Sequence, residues 1–196
     1  MTPAKREVAP NDPTTRDALM DAALAQLADK GVLAGLNLRE VADAVGVTPA
    51  NIYYYFGSRQ GLLRAALARE TARLGRPIAA ASDGGFVERR TAMFDAIGAV
   101  PSLPLTALLA LDGDPDYEPL PFIESTRDYY QGLVEAGELP EGVDVEAVHL
   151  IALATSIGIA IYAEAAARQL GTPVPELRAR TRVVFAQMMQ AATEGT

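Results

Sequence analysis

The chain of 196 residues contains no cysteine and no tryptophan, and it has a single histidine. The lack of cysteine excludes disulfide bonds and every site that needs a thiolate, whether as a nucleophile or as a zinc ligand. His149 alone cannot form a metal site made of several histidines or a catalytic triad. No phosphate-binding loop or nucleophile motif is present either. The sequence therefore favours a protein that is not an enzyme and has no metal or cofactor.

Aromatic residues are also scarce, at 6% of the chain, and segments that alternate between apolar and polar residues are missing. Alanine and leucine dominate instead, which predicts an all-α fold. The first 13 residues are polar and rich in proline, so we expect a disordered arm there. They contain no apolar segment of the kind found in a signal peptide, and the expected location is the cytoplasm.

The net charge of −8 argues against an indiscriminate nucleic-acid-binding protein, but the two parts of the chain differ. Residues 1–76 contain 10 Lys and Arg against 8 Asp and Glu, whereas residues 77–196 contain 7 against 17. This asymmetry indicates that only the first part approaches a polyanion.

Capping residues and glycines divide the first part into four predicted helices. Thr14 or Thr15 caps the first helix, and Asn37, Thr48 and Ser58 cap the next three. The expected bounds are about 14–30, 37–46, 48–57 and 58–74. Gly75-Arg76-Pro77 then predicts a break between two domains.

The segment from Leu38 to Tyr55 has the spacing of a helix-turn-helix motif. Ala42 is small where two helices would cross closely, and Gly46, four residues later, favours the positive φ of the turn. Ile52 follows six residues after Gly46, where an apolar side chain would fill the angle between the helices.

Four aromatic residues follow one another in the second helix of this motif. A helix turns about 100° per residue, so they cannot all face the core. If Ile52 marks the direction of the core, Tyr55 and Phe56 point inward, Tyr54 points away and Tyr53 lies on the flank. An outward tyrosine offers a hydroxyl to phosphate oxygens and a ring to sugar or to a thymine methyl. The alternative is that Tyr53 and Tyr54 pack against neighbouring helices.

These residues resemble the DNA-binding domain of the TetR family of transcriptional regulators. The resemblance is carried by AALAQLADKG (22–31) and by LREVADAVGVTPANIYYYFGSRQGLL (38–63). Tyr54 stands where the family often has His, Arg59 where it often has Lys, and Asn37 where Thr is frequent. These departures bear on which operator sequence is preferred.

The resemblance implies a helix-turn-helix DNA-binding domain with a linking helix at residues 14–75, and a helical ligand-binding and dimerisation domain at 76–196. It also implies a repressor that binds a palindromic operator in double-stranded DNA and is released by a small-molecule effector. The residues expected at the DNA are Asn37, Arg39, Thr48, Pro49, Ala50, Asn51, Tyr53, Tyr54 and Arg59.

The second domain is predicted to contain five helices, at about 86–100, 103–111, 122–136, 144–170 and 175–192. The acidic segment 112–119 lacks the spacing of a calcium loop, so we expect a solvated connection. Residues 149–163 are apolar on all sides but shorter than the roughly 20 residues of a membrane span, so we expect a core helix.

The last two helices look like the family's homodimer-forming pair, with Leu177, Val184, Met188 and Ala191 as the apolar face of the last.

An effector bound in the second domain should be mainly apolar or aromatic with one or two polar groups, because basic residues are few there. A highly charged anion would lack cationic partners. The expected lining is Met93, Phe94, Ile97, Leu108, Phe122, Tyr129, Tyr130, His149, Leu153 and Tyr162. Two alternatives remain open at this point: a DNA-binding regulator without an effector, and a helical-bundle enzyme or carrier.

Overall fold

The computed structural model describes residues 12–31, 34–80, 85–100, 103–120 and 123–194, apart from the side chains of 74–80. Within these ranges every element of eight residues or more is an α-helix, as the composition predicts. The helices are α1 (Pro13–Lys30), α2 (Leu38–Val45), α3 (Pro49–Phe56), α4 (Arg59–Ala80), α5 (Phe86–Gly98), α6 (Leu103–Asp112), α7 (Ile123–Glu135), α8 (Val145–Leu170) and α9 (Val174–Ala191). The predicted arm lies outside the described residues except for its last two positions.

The chain divides into two compact units. The first comprises Met1–Ala72 with Pro104–Pro119, and the second comprises Arg73–Leu103 with Leu120–Thr196. The sequence-based division at residues 75 and 76 differs from this, because nearly all of α6 packs with the first unit rather than with the helices around it in sequence. Leu105 and Leu109 of α6 are each 1% exposed in the core of the first unit.

Local capping explains the helix starts of the first unit, with one correction. The side chain that caps α1 is that of Asp12, which accepts the N–H of Thr14, so neither Thr14 nor Thr15 is the cap. An aspartate at this position also lets Pro13 occupy the first turn, where its missing N–H costs nothing. Gly46 ends α2 in the left-handed conformation with φ of 77°.

The core of the first unit forms where α1, α2 and α3 meet. Ala42 and Ile52 are fully buried, and Val41 and Val47 are 1% exposed, which places the predicted crossing of the two helices at the centre of this core. Leu62 of α4 is also fully buried in the same cluster.

One of the two predictions about connections is wrong. Helix α4 continues past Gly75 and Pro77 to Ala80. One missing N–H removes a single hydrogen bond, at about 3 kcal/mol or more, which a helix of 22 residues can absorb. The acidic segment 112–119 is mostly exposed, as predicted for a solvated connection, although the side chain of Asp114 is only 2% exposed and forms an ion pair with Arg64.

The second unit is built around α5, α8 and α9, with α7 packed against α8. Helix α8 is long and apolar enough to cross a membrane, with a mean hydropathy of 1.8 over 18 residues. It contributes Ala152 and Leu153 to the core, as a core helix would. Helix α9 turns Phe185 and Met189 inward, whereas Val184 and Met188 of the predicted apolar face are exposed.

Candidate nucleic-acid interface and ligand site

Three of the polar residues predicted at the DNA hold the helix-turn-helix in shape. Asn37 accepts the N–H groups of Arg39 and Glu40 at 3.1 and 3.3 Å, and its amide donates to Glu40 at 3.1 Å. Asn51 accepts both the N–H and the hydroxyl of Thr48, at 3.1 and 2.9 Å. These contacts fix the start of α2 and of α3, and therefore the direction of both helices.

The aromatic residues of α3 point as the helical wheel predicts. Tyr53 and Tyr54 are 54% and 59% exposed, whereas Ile52 is fully buried. Tyr55 and Phe56 are partly buried and pack against the core of the first unit. The ring of Tyr54 meets that of Tyr55 edge to face, with 5.3 Å between their centroids. Two phenol hydroxyls are thus presented on the outer side of α3.

The described arginines and the described lysine of the first unit fall into two groups. Lys30, Arg64 and Arg69 are each within salt-bridge distance of a carboxylate. Arg39 and Arg59 are exposed, and no carboxylate of the described chain lies within 4.0 Å of either. Arginines without a carboxylate partner are free to contact phosphate oxygens.

The sequence analysis missed Arg16, which belongs to the second group. It is exposed at the start of α1, and its guanidinium carbon lies 5.4 Å from the centroid of the Phe56 ring. This contact brings a cation beside the end of α3 from a position 40 residues earlier, which local sequence patterns cannot reveal. The first unit therefore has one more exposed arginine without a carboxylate partner in the described chain than the sequence pattern indicates.

The residues predicted to line a ligand site separate into several groups. Five of them are buried in the core cluster of the second unit: Met93, Phe94, Ile97, Tyr130 and Leu153. His149 is buried as well, at 3% exposed. Tyr129 is partly buried beside them. The other two described residues lie elsewhere: Leu108 packs against the core of the first unit, and Tyr162 is 69% exposed. Phe122 lies outside the described residues.

A cleft of about 250 Å³ lies between α5, α8 and α9 of the second unit. Phe94 is the only residue of the predicted lining that contributes to it. At its edge, Arg178 donates to the carbonyl of Gly98 at 2.7 Å, and Arg182 forms an ion pair with Asp95 at 2.9 Å. The cleft is lined by Phe94, Asp95, Gly98, Ser156, Ile159, Ala160, Arg178, Ala179 and Arg182.

A polar cluster that the sequence analysis also missed lies in the core of the second unit. Arg90 is 2% exposed, and its Nη1 is 3.0 Å from Nδ1 of His149. Its guanidinium carbon is 5.1 Å from the centroid of the Tyr130 ring. Helical periodicity could have found it, since Arg90 lies four residues after Phe86 and four before Phe94, both buried.

The outer side of α8 and α9 is apolar, although it faces solvent in the single chain. Ile151 and Tyr162 of α8 are 51% and 69% exposed, and Val184 and Met188 of α9 are 54% and 44% exposed. A methyl group added at Gly158 would meet no atom within 4 Å on this stretch of α8. A soluble monomer rarely leaves such a set uncovered.

No group of three or more metal-ligating side chains occurs in the described part of the chain. The two candidate sites in the described residues are therefore the outer side of α3, with its exposed tyrosines, and the buried cluster around Arg90.

Comparison with known proteins connects the first of these sites to a family. Residues 19–66 match the sequence profile of the bacterial regulatory proteins of the tetR family. Over 56 residues the chain is 45% identical to the HTH-type transcriptional regulator BetI of Rhizobium meliloti (strain 1021). That match covers 29% of this chain and 27% of the relative, so the chain aligns with only about a quarter of the relative's length.

Solved structures share the fold over nearly the whole chain. A putative TetR-family transcriptional regulator from a Rhodococcus species superimposes with a TM-score of 0.68, covering 91% of this chain and 98% of its own, at 19% identity. A structure solved to explain the control of antibiotic production by bacterial hormones gives 0.62, covering 93% and 98%, at 24% identity. At these identities the likeness establishes the fold.

Proposed function

We propose that this chain, a TetR-family regulator in its DNA-binding domain and its fold, is a dimeric, ligand-responsive repressor of transcription. The observation that carries the proposal is the helix-turn-helix, where Tyr53 and Tyr54 are exposed on α3 and where Arg39 and Arg59 are exposed without a carboxylate partner in the described chain. Such a regulator works in the cytoplasm and needs no catalytic group.

In this proposal α3 enters the major groove of double-stranded DNA. Phenol hydroxyls and arginines then contact phosphates, and the exposed rings contact sugars or thymine methyls. Asn37, Thr48 and Asn51 act mainly by holding α2 and α3 in position, since their side-chain oxygens already accept or donate hydrogen bonds within the motif. Pro49 and Ala50 shape the start of α3 at the DNA.

A homodimer supplies the second recognition helix. The exposed apolar residues of α8 and α9 lie on neighbouring helices, and two such helices from each chain would form a four-helix interface. A two-fold dimer places its two recognition helices on half-sites about one helical turn apart, or 34 Å, on a palindromic operator.

Effector control requires a mechanical connection between the ligand domain and the DNA-binding unit. Helices α4 and α6 both belong in part to the first unit and in part to the second. Within the first unit α4 is tied to the segment that directly follows α6 by ion pairs from Arg64 to Asp114 and Asp116, the latter at 3.0 Å. A ligand that shifts either helix would therefore move the other, and couplings of about 1–3 kcal/mol are typical of such systems.

The salt dependence of operator binding tests the DNA-binding proposal. An operator is first selected from a randomised duplex library, and affinity is then measured by fluorescence anisotropy between 50 and 300 mM salt. Each phosphate contact contributes about −0.9 to the slope of log K against log[salt]. Losing one arginine contact in each of the two subunits should therefore make the slope less negative by about 1.8. We expect this for Arg39→Gln and for Arg59→Gln.

Lys30→Gln is the matched control, because Lys30 already has Glu40 as a partner and should not contact phosphate. Its slope should equal that of the unmodified protein. If all three variants give the same slope as the unmodified protein, the proposed arrangement of α2 and α4 on the DNA is wrong.

A further inference from the structure

The buried polar cluster of the second unit consists of Arg90 on α5, Tyr130 on α7 and His149 on α8, and we call it the Arg90 cluster. These three residues are respectively 2%, 0% and 3% exposed. They come from three different helices, so the fold brings them together rather than any local motif. Their surroundings are apolar, with Phe86, Met93, Phe94 and Leu153 in the same core.

Arg90 lacks a counter-ion. Its contacts are Nδ1 of His149 at 3.0 Å, the sulfur of Met93 at 3.9 Å and the face of the Tyr130 ring. No carboxylate of the described chain lies within salt-bridge distance of it, and its Nε–H has no hydrogen-bond partner there. Burial lowers the pKa of the guanidinium, but an arginine side chain stays protonated in proteins.

The neighbours of Arg90 are hydrogen-bond donors or neutral groups. A guanidinium can only donate, so Nδ1 of His149 accepts and the imidazole is neutral with its proton on Nε2. The hydroxyl of Tyr130 is buried and has no partner among the described residues. Burial raises the pKa of Tyr130 to about 12, so this hydroxyl remains a neutral O–H at neutral pH.

We propose that the Arg90 cluster binds the carboxylate of a small apolar monocarboxylic acid. The N–H groups of Arg90 and the hydroxyl of Tyr130 are donors, and a carboxylate offers only acceptors. One guanidinium in an apolar core matches one negative charge, whereas a nucleotide or a phosphate ester would bring more charge than the cluster can balance. The inference rests on the proposed function in that it takes the second unit to be the ligand domain.

The rest of the molecule would lie along the contact between α5 and α8. Phe94 stands one helical turn after Arg90, about 6 Å along α5, and belongs both to the apolar core and to the wall of the cleft of about 250 Å³. Ser156, Ile159 and Ala160 continue that wall on α8. An aliphatic or aromatic body suits this lining, which has few polar groups.

Calorimetric titration of the free protein tests the inference with two matched pairs of probes. These are octanoate with 1-octanol, and 4-phenylbutyrate with 4-phenylbutan-1-ol, at pH 7. We expect each acid to bind at least tenfold more tightly than its alcohol. Arg90→Met should weaken acid binding by about 30-fold or more, the lower end for removing one member of a buried charge pair, and should remove the preference for the acid.

Arg89→Met is the matched control, because it removes a neighbouring positive charge that stacks on Tyr129 at 3.8 Å outside the cluster. It should change acid binding by less than about threefold. Tyr130→Phe keeps the ring under Arg90 and removes only the hydroxyl, so a roughly tenfold loss is expected for one hydrogen bond to a charged group. This variant keeps the inference testable even if Arg90→Met does not fold.

Equal affinity for acid and alcohol, no binding of either acid, or unchanged acid binding by both Arg90→Met and Tyr130→Phe would overturn the inference. Operator release is measured separately with the same probes. Release by the alcohols without acid binding would overturn the Arg90 site and leave the ligand-responsive repressor standing. Acid binding that leaves operator affinity unchanged would support the site and count against the proposed repressor mechanism.

Discussion

The two units of this chain differ in the surroundings of the arginines that they bury. In the first unit the partly buried Arg64 and Arg69 each have carboxylate partners, and Arg39 and Arg59 are left exposed. In the second unit Arg90 is 2% exposed and has no carboxylate partner in the described chain. An exposed cation can meet a polyanion as large as DNA, whereas a buried one can only be neutralised by a small molecule or by rearrangement.

The two units also differ in the kind of apolar side chains that they expose. The first unit exposes Tyr53 and Tyr54, whose hydroxyls suit a polar partner such as a phosphate backbone. The second unit exposes aliphatic side chains such as Ile151 and Val184, which suit another apolar surface. The same chain therefore presents one face suited to nucleic acid and one suited to a second copy of itself.

The largest expected effect comes from a charge placed on the apolar face of α8 and α9. Val184→Glu should abolish the dimer, because a carboxylate buried at an interface without a partner costs several kcal/mol. Operator binding should fall by at least 100-fold, since one recognition helix then acts alone. Sedimentation velocity and fluorescence anisotropy measure the two effects.

Leu111→Glu is the control for that experiment. Leu111 is 88% exposed and belongs to the first unit, so the same charge is introduced away from α8 and α9. We expect an unchanged dimer. A Val184→Glu protein that sediments as a dimer would show that the apolar face does not form the dimer.

The next effect separates the core of the first unit from its outer side. Ile52→Ala should lower the free energy of unfolding by roughly 2–5 kcal/mol, because Ile52 is fully buried. Tyr54→Ala should change stability by less than about 0.5 kcal/mol yet weaken operator binding, since Tyr54 is 59% exposed. Tyr55→Ala should fall between them, as its ring is only partly buried. Urea denaturation measures all three, and equal losses would contradict the assigned faces.

The sequence was sufficient for the helix-turn-helix because every determinant there is local. Asn37 as cap, Gly46 at the turn and Ile52 as the plug lie within 16 residues, and the 100° helical repeat decides which tyrosines point outward. The predicted cap at Thr14 or Thr15 is wrong because Asp12 accepts the N–H of Thr14 and so starts the helix at Pro13.

The second unit could be predicted only in outline, because its site depends on contacts between distant helices. Arg90 and His149 are 59 residues apart in the chain. The neighbours of Leu108 in sequence place it in the ligand domain, yet nearly all of α6 packs with the first unit. Tyr162 lies on a helix whose middle is apolar on all sides, so the pattern does not tell which residues face inward and which face outward.

The smallest expected effect is the titration of the Tyr130 phenol. It tests whether the Arg90 cluster is buried, as the contrast between the two units requires. Burial raises the pKa of this phenol from its usual value near 10 to about 12. Below pH 10 the phenol is protonated in both folded and unfolded chains, so its contribution to stability is complete there. The contribution is lost as the pH rises from 10 to 12, because only the unfolded chain releases the proton readily.

Absorbance at 295 nm measures this titration directly among the seven tyrosines of the chain. Tyr130→Phe should remove a late step near pH 12, whereas Tyr54→Phe should leave that step in place because the Tyr54 ring is exposed. Bound octanoate should delay the step further, since a carboxylate beside the hydroxyl disfavours a second negative charge. If Tyr130→Phe leaves the late step unchanged, the hydroxyl of Tyr130 is solvated. The Arg90 cluster is then not the buried charged site that distinguishes the second unit from the first.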